Sequence, residues 1–227
     1  MTKVSADITM SLDGFVAGPE PSLEDPLGKG GTALHEWAFR LKQWREAHGM
    51  EGGEDDVHGD GEIVDESLKA AGATIMGRKM FSGGSGPWES DPNANGWWGD
   101  EPPFHHPVFV LTSHAREPLA MQGGTTFTFV ADGIESGLEQ ARAAADGKGV
   151  HVAGGASAVQ QYLNAGLLDE IQIHVAPLLL GSGTRLLDNL DAAAIELRPT
   201  RVRSSPYVAH LKYEVAKAGY NPPATPS

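Results

Sequence analysis

From Val108 onward the chain alternates two hydrophobic periods, and that alternation confines it to one fold class. VFVL (108–111), TFTFV (126–130), GVHVA (149–153) and EIQIHVA (170–176) read as strands, whereas residues 134–145 and 156–164 read as helices. Strands separated by helices of about ten residues form βαβ units, and these predict a largely parallel sheet covered on both faces. The earlier segments fit the same sheet. Val4, Ala6, Ile8 and Met10 alternate as a strand with one face on the core, ending at the Asp13-Gly14 turn, and the run ATIM (73–76) is a buried strand. Residues 195–216 read as two strands about Ser204-Ser205-Pro206, an antiparallel edge hairpin. The expectation is an α/β domain over residues 1–216, a mostly parallel central sheet flanked by helices with a C-terminal antiparallel hairpin, followed by a flexible tail at 217–227.

Two helices are expected in the first third. Leu34, Trp37, Leu41 and Trp44 share one helical face running to about Ala47, with Thr32 as N-cap and Glu36 in the first turn. A shorter helix runs from about Glu62 to Ala71, with Ile63 and Leu68 inward and Gly72 as the residue that ends it. Asp132 and Glu135 imitate a capping box for the helix at 134. Residues 82–107 carry Trp88, Trp97 and Trp98 without either period, a long loop of the kind that carries function.

Composition excludes several classes of function. The absence of cysteine removes disulfides, thiol nucleophiles and every Cys-containing metal site. A formal net charge of −13 opposes nucleic acid and anionic membranes. The chain has no apolar run long enough to span a bilayer, and its start lacks a signal-peptide pattern, so a cytoplasmic location is expected. No metal is expected. Asp56-x-His58-x-Asp60-Gly61 imitates a calcium loop but has Ser67 where the bidentate Glu belongs, and the adjacent rings of His105 and His106 cannot both face one ion easily.

Three segments at strand ends carry chemistry instead. Gly154-Gly155-Ala156-Ser157 joins a strand to a helix, where glycine permits close backbone approach and the free N–H groups of the helix start suit an anion; a plain tight turn would look the same. Gly77-Arg78-Lys79 follows ATIM in the same way and pairs two cations suited to a phosphate, or simply a solvated basic pair. Thr112-Ser113 supplies hydroxyls after a third strand. If the strands are parallel, all three segments share one rim, an arrangement that suits a dinucleotide.

TMSLDGFVAGP (9–19), IMGRKMF (75–81), VFVLTS (108–113), VHVAGGASAVQQYL (150–163) and LLDEIQIHVAPLLLGSGTRLL (167–187) together resemble the dihydrofolate reductase-like family. They are most similar to its branch related to the C-terminal reductase domain of the bifunctional riboflavin-biosynthesis deaminase/reductase. The resemblance implies an NADPH site along the strand ends and a homodimer. It implies that Gly77, Arg78 and Lys79 meet the adenosine end, Arg78 near the 2′-phosphate, and that Thr112 and Ser113 lie beside the adenine ribose. Gly154, Gly155, Ala156 and Ser157 would hold the pyrophosphate, and Thr9, Val16 and Ala17 would frame the nicotinamide. The expected activity is NADPH-dependent hydride transfer to a small heterocycle, either a 5-amino-6-(5-phosphoribosylamino)uracil-like compound or a dihydropterin. The alternative is an NADPH- or pterin-binding protein without turnover.

The sequence departs from this family where a pterin-binding carboxylate belongs on the first long helix. Glu36, Glu62 and Asp65 are candidates, and Asp13 in the SLDGF turn is a second candidate catalytic carboxylate beside the nicotinamide. Arg185 is a candidate for a substrate phosphate, and Trp88 for a wall or lid over the substrate.

Overall fold

The computed structural model describes residues 2–22 and 24–216, so the expected tail at 217–227 lies outside the described residues. The strand β1 (Val4–Ser11) turns through Asp13-Gly14 into the short β2 (Phe15–Ala17). Three helices follow, α1 (Glu36–Phe39), α2 (Lys42–Ala47) and α3 (Asp60–Ala70). Next come β3 (Ala71–Gly77), α4 (Arg78–Ser82), β4 (Pro107–Leu111), β5 (Leu119–Ala120) and β6 (Thr126–Val130). The regular alternation consists of α5 (Ile134–Ala144), β7 (Gly149–Gly154), α6 (Ala156–Asn164) and β8 (Glu170–Ala176). The last strands are β9 (Thr184–Arg185), β10 (Glu196–Ser204) and β11 (Ala209–Ala216).

Nine strands form one sheet in the order β10-β11-β8-β1-β7-β3-β4-β6-β5. Its centre, from β8 to β6, is parallel, and the β10–β11 hairpin and β5 add antiparallel edges. The two faces are built differently. Val4, Ala6 and Ile8 of β1 join Val150, Val152, Leu138, Val159 and Tyr162 in an apolar core under α5 and α6. Each fully buried Val, Leu or Phe contributes about 1.5–3 kcal/mol there. The intervening residues Ser5, Asp7 and Thr9 turn to the opposite face, because side chains alternate along a strand. On that face Ser67 of α3 donates to Asp7 and Trp37 of α1 donates to Thr9. Two apolar clusters also lie there, one around Trp37, Leu41 and Val208 and the other around Met76, Phe81 and Phe127.

The predicted helix from Leu34 to Ala47 is broken. A 3-10 turn (Gly31–His35) precedes α1, and Leu41 takes an extended ψ of 135° before α2. The break lets Leu41 bridge to Glu54 while Trp37, Ala38 and Leu41 still pack on one cluster. Gly30, at φ 77°, begins the turn in place of Thr32. The helix α3 begins at Asp60 because the Asp56 carboxylate accepts the N–H groups of His58, Gly59 and Glu62. It ends before Gly72, which belongs to β3. A Cβ there would lie 2.1 Å from the Ala145 carbonyl oxygen, so Gly72 serves close packing and not a helix end. Ile63 is buried as expected, but Leu68 is 42% exposed. Gly133, not Asp132, precedes α5, and it makes no side-chain cap. Strands β2 and β9 pair with each other and are too short for a sequence period to betray them.

Candidate functional site

Because the central strands are parallel, β3, β4, β7 and β1 end on one rim. At that rim β7 gives way to α6 through Gly154-Gly155, whose peptide bond is cis. Gly154 holds φ 123°, a conformation that L side chains rarely adopt. A Cβ added to Gly155 would meet nothing within 4 Å. Gly155 caps α6 without a side-chain bond, and the first intrahelical donors are Ala158 and Val159. The N–H groups of Ala156 and Ser157 therefore point outward from the positive end of the helix, beside an open glycine surface. Gly77 closes on this turn, since its added Cβ would lie 3.7 Å from the Gly155 nitrogen. An anionic diphosphate fits this cradle.

The two cations after Gly77 are not equivalent. Arg78 is buried, donates to Ser82 and to Asp91 at 2.5 Å, and stacks 3.6 Å from the Trp88 ring. Burial pushes the Asp91 carboxyl up, but the Ser82 hydroxyl and the Arg78 guanidinium more than reverse this and hold it below its ordinary value. Lys79, on the same turn, is exposed and makes no ion pair among the described residues. At the end of β4, Ser113 is exposed and Thr112 Oγ1 accepts the His114 N–H at 3.1 Å. Arg116, which the sequence reading missed, lies 4.8 Å over Trp88 beside them.

Trp88, the candidate wall or lid over the substrate, lies away from the β1 face. Its ring packs on Phe129 of β6 and Phe81, and its Nε1 donates to the His114 carbonyl at 2.7 Å. β6 is four strands from β1, about 19 Å at the usual strand spacing. Trp98 likewise packs against Phe104 in the same cluster. Trp88→Ala should lower stability by on the order of 3 kcal/mol, the low end for a large aromatic because the ring is half-buried. A thermal melt reads this loss; an unchanged melting temperature would show that the ring is not part of the fold.

At the β1 end the structure gathers Asp13, Val16, Ala17 and Arg185. The Asp13 carboxylate accepts from the Ser11 hydroxyl at 2.6 Å, Gly181 N at 2.7 Å and Leu180 N at 3.1 Å. The Ser11 hydrogen bond, followed by those two amides, outweighs desolvation and holds the carboxyl at about 2. An acceptor so occupied ties two loops together and has no proton to give near neutral pH. Val16 and Ala17 lie half-buried on β2, paired with β9. Arg185 lies 4.3 Å from the centre of the Phe15 ring and donates to the Asp13 carbonyl at 3.0 Å, with no carboxylate partner among the described residues. Thr9 is buried, its hydroxyl accepting from Trp37 Nε1 at 3.4 Å.

None of the helix carboxylates suggested by the sequence faces this region. Glu36 is exposed, Glu62 pairs with Arg203 at 3.2 Å, and Asp65 pairs with Lys69 at 2.7 Å. Two carboxylates do turn inward under α1 and α3, Asp7 of β1 and Asp60 of α3. Asp7 accepts from Ser67, from His174 and from Gln172 at 3.1 Å, while Asp60 meets His210 Nε2 at 3.0 Å. His174 and His210 meet through their Nδ1 atoms at 2.5 Å. Burial pushes the Asp7 carboxyl up, and the charge and hydrogen bond of His174 reverse this, leaving it well below its ordinary value. Asp60 belonged to the calcium-like loop, which the structure divides into a helix cap at Asp56 and this buried contact. Among the described residues no group of three or more His, Asp or Glu is placed to hold a metal ion. No helix among them is long and apolar enough to cross a membrane.

Against this geometry, the family model of the RibD C-terminal domain matches residues 2–211. The chain belongs to the RibD C-terminal domain family. A protein from Shewanella sp. PV-4 named for riboflavin biosynthesis superposes with TM-score 0.61 at 17% identity, covering 95% of this chain and all of its own. A deaminase/5-amino-6-(5-phosphoribosylamino)uracil reductase from Thermotoga maritima gives 0.55 at 12% identity, covering 95% of this chain and 57% of its own. Acinetobacter baumannii RibD gives 0.55 at 17%, covering 95% and 58%. At such identities the likeness shows the fold, and the chain spans little more than half of the last two proteins. Comparison with curated protein sequences gives no match.

Proposed function

We propose that this RibD-like chain is an NADPH-dependent reductase of a small nitrogen heterocycle. Membership of the RibD C-terminal domain family supports a riboflavin-biosynthesis-type reductase. The observation that carries the cofactor reading is the open start of α6, where Gly155 leaves space and the N–H groups of Ala156 and Ser157 have no hydrogen-bond partner among the described residues. Those groups and Gly154 would hold the pyrophosphate, and Gly77 would let it approach. Lys79 replaces Arg78 as the cation for the 2′-phosphate, because Arg78 is neutralised by Asp91. Thr112, Ser113 and Arg116 would line the adenosine end, and Thr9, Val16 and Ala17 the nicotinamide end. The cofactor supplies the hydride, and the protein orients the acceptor and excludes water.

The acceptor is a 5-amino-6-(5-phosphoribosylamino)uracil-like compound or a dihydropterin. Arg185, an exposed cation beside the β1 turn, fits the phosphate of the former. A homodimer in the cytoplasm completes the reading. The second reading, cofactor or pterin binding without turnover, is favoured by the outward Glu36 and the fully engaged Asp13.

Titration of NADPH and NADH against tryptophan fluorescence tests the proposal. Micromolar NADPH binding with weaker NADH is expected. Lys79→Ala should cost NADPH about tenfold in affinity, one charge-assisted contact, while sparing NADH. Absence of binding by either nucleotide would reduce the relationship to a shared fold. Binding without oxidation by pterins, aminouracils or their phosphoribosyl derivatives would favour the second reading.

A further inference from the structure

Five of the nine histidines share one face of the sheet, the face that α1 and α3 cover. His174 of β8 stands opposite Thr9 of β1 and His210 of β11, and His151 of β7 stands opposite Thr74 of β3. Thr74 in turn meets His106 Nε2 at 2.8 Å. His35, at the end of the 3-10 turn, is electrostatically coupled to His174 from the cover side. Trp37, two residues on, packs 4.8 Å from the His174 ring and 5.2 Å from that of His210.

The five are not held alike. His174 meets Asp7, His210 meets Asp60 at 3.0 Å, and the two rings meet at 2.5 Å, so a proton on this pair has carboxylates beside it. The other three have no carboxylate within hydrogen-bond reach. His106 has only the Thr74 hydroxyl, His35 has the Phe39 ring at 5.8 Å, and neither His35 nor His151 makes a hydrogen bond among the described residues.

Most of the charged and titratable groups that face these three are cationic or become so in acid. His35 faces His174, and His106 faces His151, Lys148 and His105. His151 faces Asp7 and His174, with Lys3, Lys212, Glu66 and Glu170 around the cleft of about 150 Å³ that it lines. Arg201 of β10 reaches the same layer through Gln172. Burial, and then the charge of His174, holds His35 at about 4. Burial, and then the charges of His151, Lys148 and His105, holds His106 at about 4, and burial lowers His151 against the pull of Asp7. At neutral pH the three are uncharged.

The cover is fastened to this layer largely by polar side chains. From α3, Ser67 donates to Asp7, Asp60 meets His210, Glu66 pairs with Arg201 and Glu62 pairs with Arg203 at 3.2 Å. The opposite face of the sheet, under α5 and α6, is apolar. Charge added to the histidine layer therefore loads one face and spares the other.

We propose that this layer is an acid-operated latch: uncharged, it holds α1 to α3 on the sheet, and in mild acid protons taken up by His35, His106 and His151 release that cover while the α5–α6 face stays folded. The cleft beside His151 admits the proton before the fold opens. A histidine that is harder to protonate when covered than in water draws the equilibrium toward the open form as the pH falls below 6.5, its ordinary value, and the effect is complete at the covered value. From pH 7 to pH 5, His35 alone, at 6.5 when open and about 4 when covered, should raise the opening constant about 20-fold. Asp7 and Glu66 titrate below their ordinary values and stay ionised over that range.

Amide hydrogen exchange of the whole chain at pH 7 and pH 5, each rate divided by that of an unstructured chain at the same pH, compares the opening of α3 with that of α5 and α6. Protection of residues 60–70 should fall at least 20-fold at pH 5, with residues 134–164 changed less than threefold. His35→Gln combined with His151→Gln, which replaces two imidazoles by carboxamides that take no proton, should shrink the fall at least tenfold. Equal loss of protection in α3 and in α5 and α6 would show global unfolding, and no loss in α3 would show that the layer is no latch; either result overturns the proposal. So does an undiminished acid response in the double variant when its melting temperature at pH 7 is unchanged. If that variant does not fold, the comparison of the two faces in the unsubstituted protein still decides.

Discussion

Asp7→Ala should lower the free energy of unfolding by about 3–5 kcal/mol, the cost of removing one partner from a buried charged cluster. That is a large share of the 5–15 kcal/mol typical of a domain. The carboxylate accepts from Ser67, Gln172 and His174, drawn from α3 and β8, so its loss strands three donors at the junction of helix and sheet. Urea unfolding should show a lower midpoint at an unchanged slope. A change under 1 kcal/mol would mean that water replaces the carboxylate and that the cluster is open to solvent.

The same residue sets a pH dependence. Asp7 and Asp13 both titrate lower in the folded protein than their ordinary value of 3.8. A depressed carboxyl binds fewer protons folded than unfolded, so its stabilisation is complete above about pH 4 and is lost as the pH falls from there. For Asp13 the loss extends down to about pH 2. Stability should be flat in this respect between pH 5 and 7 and fall steeply in acid. Asp7→Ala should reduce the steepness but not abolish it, since Asp13, Asp56, Glu66 and Asp91 are also held below their ordinary values.

Asp7 also marks where the sequence stopped being legible. The parallel sheet could be read because EIQIHVA and the helix at 156–164 have different periods, and a period survives whatever covers it. The role of the intervening residues did not follow. An alternation such as Val4-Ser5-Ala6-Asp7-Ile8-Thr9 ordinarily means one face in water, but β1 lies in the middle of a doubly covered sheet. Its polar face is therefore interior and must find partners, and Gln172, His174 and His210 on the adjacent strands β8 and β11 are those partners. Polar residues at alternate positions on β1, on β8 and on the second strand of the edge hairpin were the available signal. The contacts of Trp88 and Arg78 were hidden for another reason. Their glycine- and proline-rich surroundings read as a lid and a phosphate site, whereas the tertiary fold pairs the cation with Asp91 thirteen residues on, a contact that has no sequence period. That Gly154 to Ser157 form a strand-to-helix turn was legible because the change of period on either side brackets it.

That turn yields the second large effect. Ser157→Asp should weaken NADPH by on the order of 10²-fold while leaving the fold intact or slightly firmer. Ser157 is exposed in the first turn of α6, where a carboxylate interacts favourably with the helix end by about 0.3–1 kcal/mol. Toward a diphosphate on the same N–H groups the added charge acts in the opposite sense, repelling it by several kcal/mol at close range near a protein surface. Ser157→Ala, which adds no charge, should change affinity no more than about twofold. The comparison needs only two titrations and two melting curves. If the aspartate variant is fully folded and binds NADPH as before, the phosphates do not lie at the start of α6, and the cofactor must be sought elsewhere on the rim.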